Sequence, residues 1–120
     1  MRTVFMFHGV DDSGSVLSVT AEQLRSLVHA VRSSGHRIVP LSDAIEHPAD
    51  RTVALTFDDG FVSVAKNAAP VLAELDAPAT LFLTTGYVGR DNRWPTQPPD
   101  APRFAMMDWG ELEHLKALGQ

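Results

Sequence analysis

The sequence predicts an α/β protein built on a parallel sheet, and three observations carry that prediction. Short apolar runs at residues 4–7, 53–57 and 79–84 recur between segments of helical spacing, so strands alternate with helices. Residues 4–7 (Val-Phe-Met-Phe) are continuously apolar rather than alternating, the pattern of a strand buried on both faces. Two carboxylates, Asp58 and Asp59, stand where the third strand stops, the end at which β/α folds place their sites. Such strands suit either an open doubly wound sheet or a β/α barrel. A length of 120 residues is short for the barrel, which takes about 250.

The elements follow in order. Strand 4–7 comes first. Thr20-Ala21-Glu22-Gln23 has the spacing of a capping box, and Leu24, Leu27, Val28 and Val31 continue at helical spacing to about Ser34. Gly35 stands where a helix end favours a left-handed residue. Ile38-Val39 is a short strand stopped by Pro40; Ser42 is then the candidate cap of a brief helix through Ile45, ended by His47-Pro48. After strand 53–57, residues 62–75 return to helical spacing, kinked or restarted at Pro70, which has no N–H to donate. Strand 79–84 precedes a loop over 85–105, rich in Gly, Pro, Asn and Asp. Loops that long are uncommon and often functional. Asp108-Trp109-Gly110-Glu111 opens a last helix with Leu112, Leu115 and Leu118 on one face and Gly119 as its stop. Trp109, just after the cap, reads as core.

Composition excludes several classes. With 44% hydrophobic residues and a net charge of −5, the chain is neither disordered nor a nucleic-acid binder, and its lysines and arginines form no basic stripe. No apolar run approaches the roughly 20 residues of a membrane span. The absence of cysteine removes disulfides, thiolate zinc sites and thiol nucleophiles. The apolar start is too short for a secretory signal, so a cytoplasmic location is expected.

The chemistry concentrates at Thr56-Phe57-Asp58-Asp59-Gly60. Adjacent carboxylates raise each other's pKa, and a divalent cation removes that cost. The alternative is that one of them only caps the following helix. His8 ends the first strand on the same rim as the pair, where it either lines the site or fixes the Gly9 turn. Trp94, in the long loop, either lines the site as an exposed aromatic on a rim loop or packs its own loop. His29 and His114 fall within helices, and His36 and His47 in turns, with no partner implied.

Val53-Ala54-Leu55-Thr56-Phe57-Asp58-Asp59-Gly60-Phe61 resembles the first signature motif of the polysaccharide deacetylases, the NodB-homology domain of carbohydrate esterase family 4. Phe7-His8-Gly9-Val10, Pro78-Ala79-Thr80-Leu81-Phe82-Leu83 and Met107-Asp108-Trp109 fit the same family in the same order. The resemblance implies a distorted β/α barrel and a metal-dependent hydrolase that removes N- or O-acetyl groups from a carbohydrate. It makes Asp58 the general base that deprotonates water held by the metal, and Asp59 a ligand of a divalent metal, zinc foremost. The family adds two histidines spaced as His-(Ser/Thr)-x-x-His, and none of His8, His29, His36, His47 and His114 lie four residues apart. Residues 1–120 are therefore expected to be the N-terminal half of the domain: a truncated deacetylase, inactive alone, whose open strand edges invite self-association or a complementing chain. The alternatives are a non-catalytic fragment or interaction module, and one half of a split enzyme completed by another chain. The expected partner is an acetylated carbohydrate, with neither nucleic acid nor membrane.

Overall fold

A computed structural model of the chain describes residues 2–47 and 49–117. The chain runs through strand β1 (Arg2–Phe7), two short strands β2 (Gly9–Val10) and β3 (Ser18–Val19), and helix α1 (Ala21–Ser33). It continues through β4 (Arg37–Ile38), α2 (Leu41–Glu46) and β5 (Thr52–Asp59). A π-helical turn (Val64–Ala68) runs into α3 (Ala69–Glu74); β6 (Thr80–Leu83), a 3₁₀ turn (Thr85–Tyr87) and α4 (Trp109–Ala117) follow.

All the paired strands are parallel, as the alternation of strands and helices requires. β5 is the centre of the sheet. β1 lies along one edge of it, Arg2 opposite Thr52 through Phe7 opposite Phe57. The other edge is shared, β4 beside Thr52 and Val53 and β6 beside Thr56 to Asp59. Val53, Leu55 and Phe57 of β5 point into a core shared with Leu24, Val28 and Val31 of α1 and with Val71 and Leu72 of α3. Fully burying a Leu or Phe side chain contributes about 1.5–3 kcal/mol, and both Leu55 and Phe57 are fully buried.

β1 departs from its expected two-sided burial. Its residues alternate, with Phe5 and Phe7 packed on the core while Val4 and Met6 are 52% and 63% exposed. The reason is position: β1 has a sheet neighbour on one side only. Register puts Val4 and Met6 on the same face as Ala54 and Thr56 of β5, and Phe82 of β6, 51% exposed, belongs to that face too.

The helix signals hold with one exception. Thr20 Oγ1 accepts from the Gln23 N–H at 3.1 Å and Gln23 Oε1 accepts from the Thr20 N–H at 2.9 Å, the full capping box. Asp108 and Glu111 make the same reciprocal pair at the start of α4. The exception is Ser42, which lies inside α2 and makes no cap bond; Pro40 holds the N-cap position, extended at ψ 149°. The helix is restarted at Pro70 by a widened turn, the Ala69 N–H reaching back five residues to Val64 O. That widening gives the proline ring room it would lack in a regular α-turn. Arg32 of α1 donates to the carbonyls of Leu75 and Asp76, satisfying the end of α3. Trp109 is not core: it is 60% exposed, over an apolar hollow lined by Leu81, Leu83, Leu112 and Leu115. The expected roles of Pro48, Leu118 and Gly119 lie outside the described residues. Among the described residues no helix is long and apolar enough to cross a membrane.

Candidate active site

β5 carries the Asp pair. The strand runs on through Asp58 and Asp59 instead of stopping at Phe57. Leaving the strand, the chain makes a three-residue γ-turn: the Gly60 N–H donates to Asp58 O at 3.0 Å, and Asp59 between them has φ +75°. A non-glycine residue in that region costs on the order of 1–3 kcal/mol, and such strain gathers at functional sites. Gly60 itself has φ +94°, a region that side-chain-bearing residues rarely adopt, and a Cβ there would press on Leu83 Cδ2 at 2.9 Å, so glycine is favoured. The turn is what lets two consecutive carboxylates serve one rim of the sheet.

Each carboxylate has its own neighbour. Asp58 shares the open face of the sheet with Met6 and Thr56, and its Oδ2 lies 3.9 Å from His8 Nε2. Both side chains are half-buried. The β1–β5 register explains the meeting. Met6 opposes Thr56 and Phe7 opposes Phe57, so the next residues along, His8 and Asp58, fall side by side. No hydrogen bond runs from the His8 ring to the Gly9 turn among the described residues, so the reading of His8 as the fastener of that turn is not what the structure shows. Asp59 is met from the other side: Thr84 Oγ1 donates to Asp59 Oδ1 at 3.5 Å and the Thr84 N–H to Asp59 O at 3.2 Å. The capping alternative fails for both aspartates, because the helical segment after β5 has no side-chain cap bond.

Several residues that frame this rim went unnoticed in the sequence. Thr84 is one; its signal was its place just past the end of the neighbouring strand. Ser63 and Asn67 are two more. Ser63 Oγ accepts from the Val10 N–H at 3.1 Å, and Asn67 Nδ2 donates to Val10 O at 2.7 Å. Together they fasten the chain after His8 to the π-helical turn. Asp11 anchors the next loop, its carboxylate accepting from the Ser13 N–H at 2.9 Å and from Ser18 Oγ at 3.1 Å. Burial pushes the Asp11 carboxyl up, but the hydrogen bonds from Ser13 and Ser18 together outweigh it and hold the group below its ordinary value.

Trp94 lies away from the Asp pair in the loop between β6 and α4. Its ring meets Tyr87 edge-on, 5.6 Å between centroids at 75°. His29, His47 and His114 are exposed; His36 is half-buried, its Nδ1 2.8 Å from Ser34 Oγ. None of these four joins the site.

A divalent metal needs more than this. Catalytic zinc sites use three protein ligands. Among the described residues no group of three His, Asp or Glu side chains is gathered closely enough to hold an ion. The residues described do not by themselves make a metal site.

The comparisons with known proteins agree with the geometry. The polysaccharide deacetylase family model matches residues 46–118, a stretch that includes Asp58, Asp59 and the last helix. The chain belongs to the polysaccharide deacetylase family. A poly-β-1,6-N-acetyl-D-glucosamine N-deacetylase of Staphylococcus aureus is 30% identical over 80 residues, which is 62% of this chain and 28% of that protein. The structure of IcaB from Ammonifex degensii superposes with a TM-score of 0.81 at 28% identity, over 98% of this chain and 49% of that one. A de-N-acetylase from Aggregatibacter actinomycetemcomitans shares the fold at a TM-score of 0.75 and 18% identity, over 98% and 51%. The chain thus spans about half the length of these solved structures and less than a third of the curated relative. Its sheet and helices are those of a partial β/α barrel.

Proposed function

We propose that this chain carries the base-bearing half of a metal-dependent carbohydrate deacetylase site, acting on N- or O-acetyl groups. The observation that carries the reading is the placing of Asp58 and Asp59 on one strained γ-turn with Asp59 at its centre, His8 being set beside Asp58. Asp58 is the general base: it takes a proton from the water that attacks the acetyl carbonyl. His8, set beside Asp58 by the strand register, lines the site. Asp59, steadied by Thr84, is the one ligand this chain offers to a divalent metal, zinc in the first instance. Bound there with further ligands, the metal would supply Lewis-acid activation.

Those further ligands lie outside the residues described. We assign them to polypeptide that packs against the free edges of β1 and β6 and over Val4, Met6 and Phe82. The relatives, about twice as long or longer, make such a complement reasonable. An N-acetylglucosamine polymer is the first substrate to try, since the relative from Staphylococcus aureus is named for one. The experiment is acetate release from an N-acetylglucosamine oligosaccharide with added zinc, with and without the C-terminal half of a relative's domain supplied as a second chain. Release only from the combination supports the reading. Release from neither leaves the non-catalytic module, and release from this chain alone shows that the metal site needs no complement.

A further inference from the structure

We infer that the loop between β6 and α4 holds a second binding site, for an acidic saccharide, with Trp94 as the platform for a sugar ring and Arg103 as the counter-charge for its carboxylate. The loop is built rather than slack. Asn92, 2% exposed, closes its neck: Nδ2 donates to Pro102 O at 2.8 Å and Oδ1 accepts from the Phe104 N–H at 2.8 Å. Within the neck, turns bond Gln97 N to Trp94 O and Ala101 N to Pro98 O, both at 3.0 Å, and Pro95, Pro98, Pro99 and Pro102 fix the backbone between them. A site made this way loses little entropy on binding.

Inside the loop is a cavity of about 180 Å³ lined by Arg93, Trp94, Gln97, Pro98 and Arg103 among others. That is smaller than the ~300–1,000 Å³ of clefts for larger ligands, and suits one sugar unit instead of a length of polymer. Tyr87 occupies at most one face of the Trp94 indole, and Arg90 lies over the Tyr87 ring at 5.1 Å. Trp94 therefore has surface left for the C–H face of a pyranose.

Charge selects the ligand. Residues 85–107 hold three arginines (Arg90, Arg93, Arg103) against two aspartates (Asp91, Asp100), in a chain whose net charge is −5. Arg93 is taken up by Asp91, Nε to Oδ2 at 2.8 Å. Arg103 has no ion-pair or hydrogen-bond partner among the described residues, yet it lines the cavity. A guanidinium is matched by a carboxylate, which it can bind through two parallel hydrogen bonds. A neutral N-acetylated unit offers no such counter-charge, and a deacetylated unit, being cationic, is repelled. The location ties this cavity to the Asp pair. The far arm of the loop bonds the turn that follows Asp59, Met107 N to Gly60 O and Ala105 O to Val62 N, both at 2.9 Å.

That the ligand is a saccharide rests on the carbohydrate reading above; whether it binds does not depend on turnover. The test uses the full chain with Trp109→Phe, which leaves Trp94 as the only tryptophan, and follows its fluorescence. Two oligosaccharides of equal length are titrated, one alternating glucuronic acid with N-acetylglucosamine, the other N-acetylglucosamine alone. The expected result is saturable binding of the acidic one, about tenfold tighter than the neutral one, the weight of one charge-assisted contact. Arg103→Gln should remove that preference, and so should high salt. Equal binding of both sugars, an unchanged preference in Arg103→Gln, or no response to either would overturn the proposal. So would saturation by acetate at the affinity of the acidic oligosaccharide, which would make the site one for a bare carboxylate. Asp58→Asn serves as the control: it should abolish acetate release in the complemented protein and leave this binding intact, so the two readings fail separately.

Discussion

His8 Nε2 and Asp58 Oδ2 lie 3.9 Å apart because two parallel strands are in register, not because either side chain reaches for the other. The pairing of Met6 with Thr56 is carried two residues further, to the point where β1 has ended at Phe7 while β5 runs on through Asp59 beside β6. A one-residue slip of β1 would turn His8 to the helix side and leave Asp58 facing only solvent. The site therefore depends on the core that fixes the register, chiefly Phe5 and Phe7 against Leu55 and Phe57, the two phenylalanines at position 7 and 57 stacking at 5.1 Å.

Asp59→Ala should weaken zinc binding by the complemented protein more than ~10-fold, since loss of even a supporting group costs a metal site that much. Asp58→Asn should leave zinc binding near the wild-type value. Isothermal titration of both variants checks the division of labour between the two aspartates.

Gly60→Ala should destabilise the fold by about 1–2 kcal/mol, the cost of a side chain in the left-handed region. The tip of Leu83, 2.9 Å from the added Cβ, can shift aside, but φ +94° cannot be relieved that way. A melting temperature lower by several degrees is the expected reading.

Thr20→Ala should cost about 1 kcal/mol through the lost cap on α1. Ser42→Ala is its control. With no cap bond to lose, it should change stability by less than about 0.5 kcal/mol. Denaturant unfolding of the two variants distinguishes the capping Thr20 from the helical Ser42.

Asp11 gives the pH dependence. Its folded pKa is below the ordinary carboxylate value, so folding favours the ionised form. The stability it contributes is present above the unfolded pKa, about 3.9, and is lost as pH falls through the lower folded value. Asp11→Asn should therefore be less stable than the wild type at about pH 6, and the gap should narrow at about pH 3, below the unfolded value. Urea unfolding at the two pH values measures it.

Much of this fold was legible because its signals are local. Both capping boxes, the break at Pro70 and the Asp pair at a strand end each fit within a few residues of sequence. What escaped depends on neighbours distant in the chain. β2 and β3 are two residues each and exist only because Gly9 and Val10 find Ser18 and Val19. An apolar run such as 4–7 has the same appearance in a central strand and an outer one, and only the sheet order exposes Val4 and Met6. Trp109 followed a cap correctly read, but the surface its face meets was set by β6. At the site, the two carboxylates and the turn glycine were readable. The contacts of His8 with Asp58 and of Thr84 with Asp59 were not, because both arise from strand register.

The most direct measurement is the acetate-release rate of Asp58→Asn against wild type, in protein complemented with a C-terminal half-domain and loaded with zinc. Asp58 as general base predicts a loss of about 10²–10⁴-fold with zinc still bound. A variant that keeps the wild-type rate would contradict it, and the proton would then have to be taken by another group.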